Sequence, residues 1–357
     1  MAPKITQPRV TKVVSYSGGG KTRVEVRSLR APGRGEMLVR LRSCGLCGTD
    51  LFKLSNDTVT PGAVLGHEIV GIVEELGEGT EGFAVGERVL APHHVSCGQC
   101  ALCLRGSDPL CSVFRENLLE PGGFSEHVLV RERAVRLAAR KMPAGVSDEA
   151  AIFLEPAACV LRGIWRAGVP AGLESSCAVV LGAGSMGLLH LLVLRAADPA
   201  IRVIVSDTLE ERLRLAVELG AHAAATPREI GPLVREVTAG LGADAAFDTV
   251  GGSGILESAV AMTREGGSVV LFAHAPAGDR ARFDLNEFFK HERRIVGTYS
   301  GSLKEQQEVF RWIVAGRLDA SRLITHRLPF SRFDEAVAMC RRLEALKILL
   351  VPDEEGS

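Results

Sequence analysis

The chain has 357 residues, a length that predicts about two domains. Of these residues 46% are apolar and 24% charged, a composition typical of a globular protein. Its formal net charge of −1, without a basic or acidic run, argues against a nucleic-acid or membrane-surface partner. The opening MAPKITQPRV lacks the apolar region of a signal peptide and the nine cysteines are an odd number, so we expect a reducing, cytoplasmic location.

The first half of the chain is rich in glycine turns and short β-like runs. These runs are EMLVRLRSC, EIVGIVEELG, ERVLAP and FSEHVLVRER. Runs of this length that are bounded by turn residues predict β-strands. We therefore expect a mainly β domain in this part of the chain.

Three separated stretches carry candidate ligands for a catalytic metal. They are SCGLCGTDLF (Ser43–Phe52), LGHEIVG (Leu65–Gly71) and FLEPAACV (Phe153–Val160). Cys47, His67 and Glu155 offer one soft, one borderline and one hard donor, a mixture that Zn²⁺ accepts, and three ligands leave a fourth position for water or substrate. Glu68 is a further candidate, either as a permanent ligand of the metal or as a ligand that exchanges its position with water and Glu155. Each of these residues, taken singly, also has an ordinary structural explanation.

Four cysteines fall within the fifteen residues CGQCALCLRGSDPLC: Cys97, Cys100, Cys103 and Cys111. Two explanations compete, a disulfide cluster of the kind found in small secreted domains and four thiolates around one metal ion. The spacing C-x2-C-x2-C-x7-C in a loop-like stretch suits tetrahedral Zn²⁺, whereas a redox CxxC pair needs only two cysteines. We predict a structural zinc that contributes folding energy and performs no reaction.

The stretch SSCAVVLGAGSMGLLHLLVL (Ser175–Leu194) has no Asp, Glu, Lys or Arg over the length of a membrane span. Glycines interrupt its centre, so a strand, a glycine turn and a buried helix explain it better. The turn reads G-x-G-x-x-G between a β-branched run and a helical pattern, a context that predicts a dinucleotide site with its pyrophosphate at the helix N-terminus. The residues of this turn are Gly182, Gly184, Ser185, Met186 and Gly187.

The next predicted strand, RVIVSD (Arg202–Asp207), ends in a carboxylate twenty residues after the last glycine of the motif. Asp207 is able to accept hydrogen bonds from both ribose hydroxyls there and would repel a 2′-phosphate. Arg212 lies in the following turn, but no arginine follows Asp207 directly. We therefore expect NAD in preference to NADP. Asp207 also suits the cap of the helix that follows.

Three later apolar runs predict further strands of the same sheet. They are AAFDTVG (Ala245–Gly251), GSVVLFAH (Gly267–His274) and RRIVGTYSG (Arg293–Gly301). Helical patterns separate them, an alternation that predicts a doubly wound parallel sheet. Ligands bind at the carboxyl ends of such strands, so backbone or apolar contacts to the nicotinamide are expected from Val250, Phe272 and Ala273.

Five motifs follow one another along the chain: GLCGTD, GHEIVGIV, the four-cysteine segment, LEP and VVLGAGSMG. In this order they resemble the zinc-dependent medium-chain dehydrogenase/reductase superfamily, to which the alcohol dehydrogenases belong, over essentially the whole chain. Glu155 stands where liver-type alcohol dehydrogenases have a cysteine, and with GHE it resembles the polyol (sorbitol) and threonine dehydrogenase branch. The resemblance implies an α/β fold, with a GroES-like mainly-β catalytic domain and a Rossmann domain.

The resemblance also implies roles for residues near the first motif. Cys47, in C-G-[ST]-D, would be the zinc ligand and Cys44 a buried neighbour. Thr49 stands where the family has a hydroxyl that passes the substrate proton towards solvent, and Asp50 is expected to hold the loop in shape. Three histidines flank the cysteine segment and are expected to be ordinary loop or core residues: His93, His94 and His127.

We expect residues 1–157 and 295–357 to form the GroES-like domain with both zinc sites, and residues 158–294 to form the Rossmann domain. The tail HRLPFSRFDEAVAMCRRLEALKILLV is expected to return to the first domain with a helix and a final strand. A cleft between the domains is the expected ligand site. Because members of this family are usually dimers or tetramers, the resemblance implies a homodimer or homotetramer, with sheet-edge pairing as one means of association.

The predicted activity is zinc-dependent, NAD-linked oxidation of a secondary alcohol of the polyol, amino alcohol or cyclitol class to a ketone, with two Zn²⁺ per subunit. Zinc would bind the hydroxyl oxygen and lower its pKa, and the nicotinamide would accept hydride. A biosynthetic ketone or aldehyde reductase that uses NAD(P)H is an open alternative, since equilibrium and coenzyme ratio set the direction. A non-catalytic dinucleotide-binding protein is disfavoured because Cys47, His67 and Glu155 are all present.

Overall fold

The computed structural model describes residues 9–173 and 175–354. The chain divides into a first unit, Met1–Glu155 with Ser321–Ser357, and a second unit, Pro156–Ala320. The first boundary lies beside the predicted one, but the second requires a correction, because residues 295–320 belong to the second unit and not to the first. The reason is that the strand Arg294–Gly297 pairs with the parallel sheet of the second unit.

The first part of the first unit is mainly β, as its short apolar runs predict. Its strands are β1 (Arg9–Gly18), β2 (Lys21–Leu29), β3 (Met37–Gly45), β4 (Glu68–Leu76), β5 (Arg88–Pro92), β6 (Leu119–Glu120), β7 (His127–Val130) and β8 (Arg140–Lys141). Its helices are short: α1 (Gly48–Ser55), α2 (Ala101–Leu104), α3 (Glu132–Leu137) and α4 (Asp148–Ala151). The four runs predicted as strands correspond to β3, β4, β5 and β7.

The second unit alternates helices and strands. Its helices are α5 (Leu154–Ala167), α6 (Ser185–Ala197), α7 (Glu210–Glu218), α8 (Ile230–Val237), α9 (Ser253–Met262), α10 (Leu285–His291) and α11 (Leu303–Val314). Its strands are β9 (Cys177–Leu181), β10 (Arg202–Ser206), β11 (Ala223–Ala225), β12 (Ala243–Asp248), β13 (Thr263–Leu271) and β14 (Arg294–Gly297). The sheet order is β11-β10-β9-β12-β13-β14, the doubly wound order of a Rossmann fold.

Strand β9 occupies the middle of this sheet, and every residue of its sequence CAVVL is buried. It pairs in parallel with β10 on one side and β12 on the other, so the strand order reverses beside it. The uncharged stretch Ser175–Leu194 is thus a strand, a glycine turn and a helix, as predicted. Among residues 9–173 and 175–354, no helix is long and apolar enough to cross a membrane.

The carboxy-terminal segment completes the larger sheet of the first unit with β15 (Ile324–Pro329), α12 (Phe333–Arg341) and β16 (Lys347–Val351). The predicted final helix and strand are confirmed. Strand β16 pairs in parallel with β15 and antiparallel with β3, and the sheet order is β15-β16-β3-β4-β5-β8. The pairing brings Lys347, the first residue of β16, to the end of β3, where its Nζ donates to the carbonyl of Leu46 at 3.3 Å.

Candidate metal centres and coenzyme site

Cys47 lies at the start of helix α1, two residues after strand β3 ends. The buried Asp50, in the first turn of the helix, accepts a hydrogen bond from the backbone N–H of Cys47 through Oδ2 at 3.1 Å. Its Oδ1 accepts from the backbone N–H of Gly66 at 3.4 Å and lies 3.5 Å from Nδ1 of His67. One carboxylate therefore holds the cysteine loop and the histidine segment together.

The ligand atoms of Cys47, His67 and Glu68 lie within 4.8 Å of one another. His67 and Glu68 are buried, and a buried carboxylate is costly unless it has a partner. Oε2 of Glu68 lies 2.5 Å from Nζ of the buried Lys347, whereas Oε1 has no hydrogen-bond partner within the described ranges. A free carboxylate oxygen beside a thiol and an imidazole fits a Zn²⁺ ligand set with one position open.

Acidic groups surround the imidazole of His67. Burial alone would lower the pKa of His67, but Asp50 and Cys47 outweigh burial and raise this pKa well above its ordinary value. The pKa of Lys347 is also raised above its ordinary value. Burial lowers this pKa, but the negative groups Glu68 and Cys47 raise it by more. The cluster therefore attracts positive charge, and a divalent cation bound there would displace the proton of His67.

Glu155 lies outside the three-residue cluster, in the first turn of α5. Together with His67 and Glu68 it lines a cavity of about 10 Å³. That volume is close to the space one water molecule needs, roughly 10–15 Å³. Glu68 is thus grouped with the cysteine and the histidine, and Glu155 is on the wall of the adjoining cavity.

The sulfurs of the four-cysteine segment lie at the spacing of a zinc site. The Sγ–Sγ distances are 3.9 Å for Cys97–Cys103, 3.5 Å for Cys100–Cys103 and 3.6 Å for Cys111–Cys97. Four sulfurs each about 2.3 Å from one tetrahedral ion are roughly 3.8 Å apart. The backbone N–H groups of Gln99 and Cys100 lower the pKa of Cys97 to about 6, which favours the thiolate. All nine cysteines, each within the described ranges, are free thiols, so the segment fits structural zinc and not a disulfide framework.

The glycine turn after β9 admits no side chain at two positions. Gly182 has φ +97°, and a Cβ at Gly187 would lie 1.7 Å from the carbonyl oxygen of Gly182. Gly184 caps α6, and Ser185 begins it with a buried hydroxyl that has no hydrogen-bond partner among the residues described. This hydroxyl and the unpaired N–H groups of the helix N-terminus fit a phosphate group.

Asp207 directly follows β10 and faces the glycine turn. Its Oδ2 accepts from the backbone N–H of Ala183 at 2.6 Å and its Oδ1 from that of Leu209 at 2.9 Å. An ionised carboxylate has about four acceptor positions, so acceptor capacity is left for ribose hydroxyls. Arg212 lies in the first turn of α7, and its Nη1 would be 3.8 Å from a Cβ built on Gly184.

Three of the other predicted coenzyme contacts follow the carboxyl ends of β12 and β13. The glycine turn follows the carboxyl end of β9, so it lies at the same edge of the sheet. Val250 follows β12 and is exposed. Phe272 and Ala273 follow β13, and their backbone N–H groups donate to the carbonyl of Asp248 at 3.2 and 3.1 Å. Met186 is in the first turn of α6, where its carbonyl accepts from a ring nitrogen of His190 at 2.7 Å.

Known proteins combine the same two folds. Residues 33–140 match the alcohol dehydrogenase GroES-like domain and residues 185–315 match the zinc-binding dehydrogenase family. The sorbitol dehydrogenase of Halalkalibacterium halodurans is 29% identical over 95% of this chain and 98% of its own. The chain belongs to the zinc-binding, medium-chain alcohol dehydrogenase family. The predicted family, fold class and enzymatic nature of the protein are therefore confirmed.

Two solved dehydrogenase structures superpose on nearly the whole chain. A zinc-binding dehydrogenase from Sinorhizobium meliloti 1021, bound to NADP, has a TM-score of 0.84 and 28% identity and covers 96% of this chain and 100% of its own. RspB from Escherichia coli CFT073, in complex with NADH, has a TM-score of 0.83 and 26% identity. It covers 96% of this chain and 99% of its own. This medium-chain dehydrogenase is an oxidoreductase of the alcohol dehydrogenase type that acts on small molecules.

Two features beside the candidate metal cluster of this dehydrogenase are not evident from the sequence. The first is Lys347, whose buried ammonium pairs with Glu68. The second is a row of three rings: the ring of His93 is tilted against that of His67, with centroids 4.5 Å apart, and stacked on that of His94, with centroids 3.6 Å apart. Burial and the neighbouring His67 lower the pKa of His93 well below its ordinary value and that of His94 to about 4. Both rings are therefore neutral and add no positive charge beside the cluster.

Proposed function

We propose that the protein is a zinc-dependent dehydrogenase that oxidises a secondary alcohol to a ketone with NAD, or catalyses the reverse reaction. The observation that carries this proposal is the cluster of Cys47, His67 and Glu68, whose ligand atoms lie within 4.8 Å of one another. These three residues would hold the metal, and Glu155, on the adjoining cavity wall, would exchange with Glu68. Zinc bound there would supply a Lewis acid that lowers the pKa of the alcohol hydroxyl.

The residues around the cluster then have distinct tasks. Thr49, half-buried and two residues after Cys47, would take the proton of the alcohol hydroxyl and pass it towards solvent. Asp50 keeps Cys47 and His67 in place, since it accepts from the backbone N–H groups of Cys47 and Gly66 and its Oδ1 lies 3.5 Å from Nδ1 of His67. Lys347 neutralises one oxygen of Glu68, so that only the other is available to the metal. A nicotinamide coenzyme held by the glycine turn and Asp207 would supply the hydride acceptor.

The test is a coenzyme-reduction screen over four alcohol classes: polyols, amino alcohols, cyclitols and simple secondary alcohols. With zinc-loaded protein, we expect at least one class to yield NADH, measured by its absorbance, and the matching ketone to be reduced by NADH. The absence of turnover in both directions for every class, in protein shown by metal analysis to hold two zinc ions, would contradict the proposal.

We propose that NAD is preferred to NADP, with Asp207 as the selecting residue. Replacement of Asp207 by asparagine keeps an oxygen for the N–H of Ala183 but removes the charge that holds ribose and repels a 2′-phosphate. The ratio of kcat/KM for NAD to that for NADP should fall by roughly a hundredfold, since hydrogen bonds to charged groups are among the stronger ones. Steady-state kinetics with both coenzymes measures the ratio, and an unchanged ratio in a variant of normal melting temperature would refute the role.

We further propose that the chain forms a homo-oligomer, a dimer or a tetramer, through the edge of its parallel sheet. Strand β14 is the last strand of that sheet, and among residues 9–173 and 175–354 its sole pairing partner is β13. An open edge strand is a template for a second strand. Helix α10, which precedes β14, exposes Leu285 at 82% and Phe289 at 80%, and large apolar side chains beside an open edge suit a second copy of the chain.

Replacing Phe289 by aspartate is expected to shift the protein to the monomer, because a charge would be placed within the apolar contact. Size-exclusion chromatography with light scattering measures the mass in solution. Val217→Asp, at an exposed apolar position on α7 of the same unit, is the matched control and should leave the mass unchanged. Equal masses for Phe289→Asp and the wild type would rule out this surface.

A further inference from the structure

The second unit contains a cavity that shares no residue with the metal cluster or the glycine turn. Its volume is about 440 Å³, within the range of small-molecule sites. It is lined by the ends of α5 and α6 and by one face of α11, from Lys304 to Trp312. Its apolar walls include Ile164, Leu194 and Ile201, together with both tryptophans of the chain, Trp165 and Trp312.

One cation at the cavity has no acidic partner. Lys304, the second residue of α11, holds Nζ 5.0 Å from the centre of the Trp165 ring. Within the described ranges its ammonium makes no ion pair.

The two carboxylates that line the cavity are already engaged. Asp198 accepts hydrogen bonds from the backbone N–H groups of Gly172 and Ala200 at 2.8 and 3.0 Å. Glu308 forms an ion pair with Arg311. Both acidic groups thus have partners of their own, whereas the ammonium of Lys304 has no acidic partner among the described residues.

We propose that this cavity binds a small apolar carboxylic acid, with its ring or branched chain against the tryptophans and its carboxylate on Lys304. Aromatic and aliphatic walls favour the apolar part through burial. The ammonium of Lys304 donates a charge-assisted hydrogen bond to the carboxylate. The site is separate from the proposed alcohol site, since every residue that lines it belongs to the second unit and the metal cluster belongs to the first.

Intrinsic fluorescence reports occupancy directly, because the only two tryptophans of the chain line the cavity. Titration of the zinc-loaded protein with cyclohexanecarboxylate or isovalerate is expected to change the emission saturably. Cyclohexanecarboxamide, uncharged and of similar shape, should bind about tenfold more weakly, as loss of a charged hydrogen bond implies. Lys304→Met keeps the aliphatic stem and should weaken binding of the acid to the same extent, whereas Lys21→Met, at an exposed lysine of the first unit, should not.

Two further variants separate this site from the metal cluster. Cys47→Ser should bind the acid as the wild type does, whereas an acid bound at the catalytic zinc would lose its site. Trp312→Phe leaves Trp165 as the sole reporter, and its emission should still respond. A failure of both acids to give a saturable change, equal affinity for acid and amide, or unchanged affinity in Lys304→Met would each overturn the proposal.

Discussion

Replacing Cys47 by serine is expected to remove the catalytic zinc and to lower kcat by roughly a thousandfold or more, because Lewis-acid activation of the alcohol supplies several kcal/mol. A neutral hydroxyl is a poor substitute for a thiolate as a zinc ligand. Zinc per chain, measured by atomic absorption, should fall from two ions to one. The decrease in kcat is measured with the alcohol that the coenzyme-reduction screen identifies.

Cys44 offers a control three residues away. It is fully buried on β3 and lies outside the cluster, and burial raises its pKa well above the ordinary value, so it is a neutral thiol. Cys44→Ala should therefore keep both zinc ions and the activity. Loss of one zinc in Cys44→Ala and its retention in Cys47→Ser would reverse the assignment of the ligand.

Replacing Cys103 by serine is expected to have the largest effect on stability, with a melting temperature lower by about 10 °C or more. The sulfur of Cys103 lies 3.5 Å from that of Cys100 and 3.9 Å from that of Cys97, so its loss opens the proposed zinc site. Binding free energy of a structural zinc is folding free energy, and 1 kcal/mol corresponds to roughly 2–4 °C in domains of this size. Calorimetry together with zinc analysis measures both quantities.

Cys340→Ala is the matched control for this prediction, since Cys340 is a half-buried cysteine of α12 outside both clusters. It should keep two zinc ions and lose little stability. Cys103→Ser should also retain the catalytic zinc in the protein that remains folded, which distinguishes it from Cys47→Ser. A Cys103→Ser protein that melts like the wild type would show that the cysteine segment does not stabilise the fold through a metal.

The features that local sequence encodes could be predicted in detail. The four candidate ligands of the cysteine segment lie within fifteen residues, so their spacing alone predicts that their sulfurs cluster. The strand, turn and helix around Gly182 and Gly187 follow from a β-branched run, two positions that admit only glycine, and a helical pattern. In both cases the interacting groups are neighbours in the chain.

Features that depend on distant pairing could not be predicted. Whether Glu68 or Glu155 joins Cys47 and His67 depends on how α5 packs, and no local pattern contains that information. The contact of Lys347 with Leu46 spans 301 positions, and its only trace in the sequence is one lysine in the apolar run LKILLV. The apolar run at β14 predicts a strand, but a strand pattern does not define where its unit ends, so the sequence predicts the domain boundary near residue 295 and not after Ala320.

Anomalous diffraction at the zinc absorption edge, from crystals of the zinc-loaded protein, tests the central claim most directly. Two peaks per chain are predicted, one among the four cysteine sulfurs and one bounded by Cys47, His67 and the carboxylate of Glu68 or Glu155. A missing second peak, or a fourth protein side chain that closes the coordination of that ion, would contradict a catalytic zinc at this position.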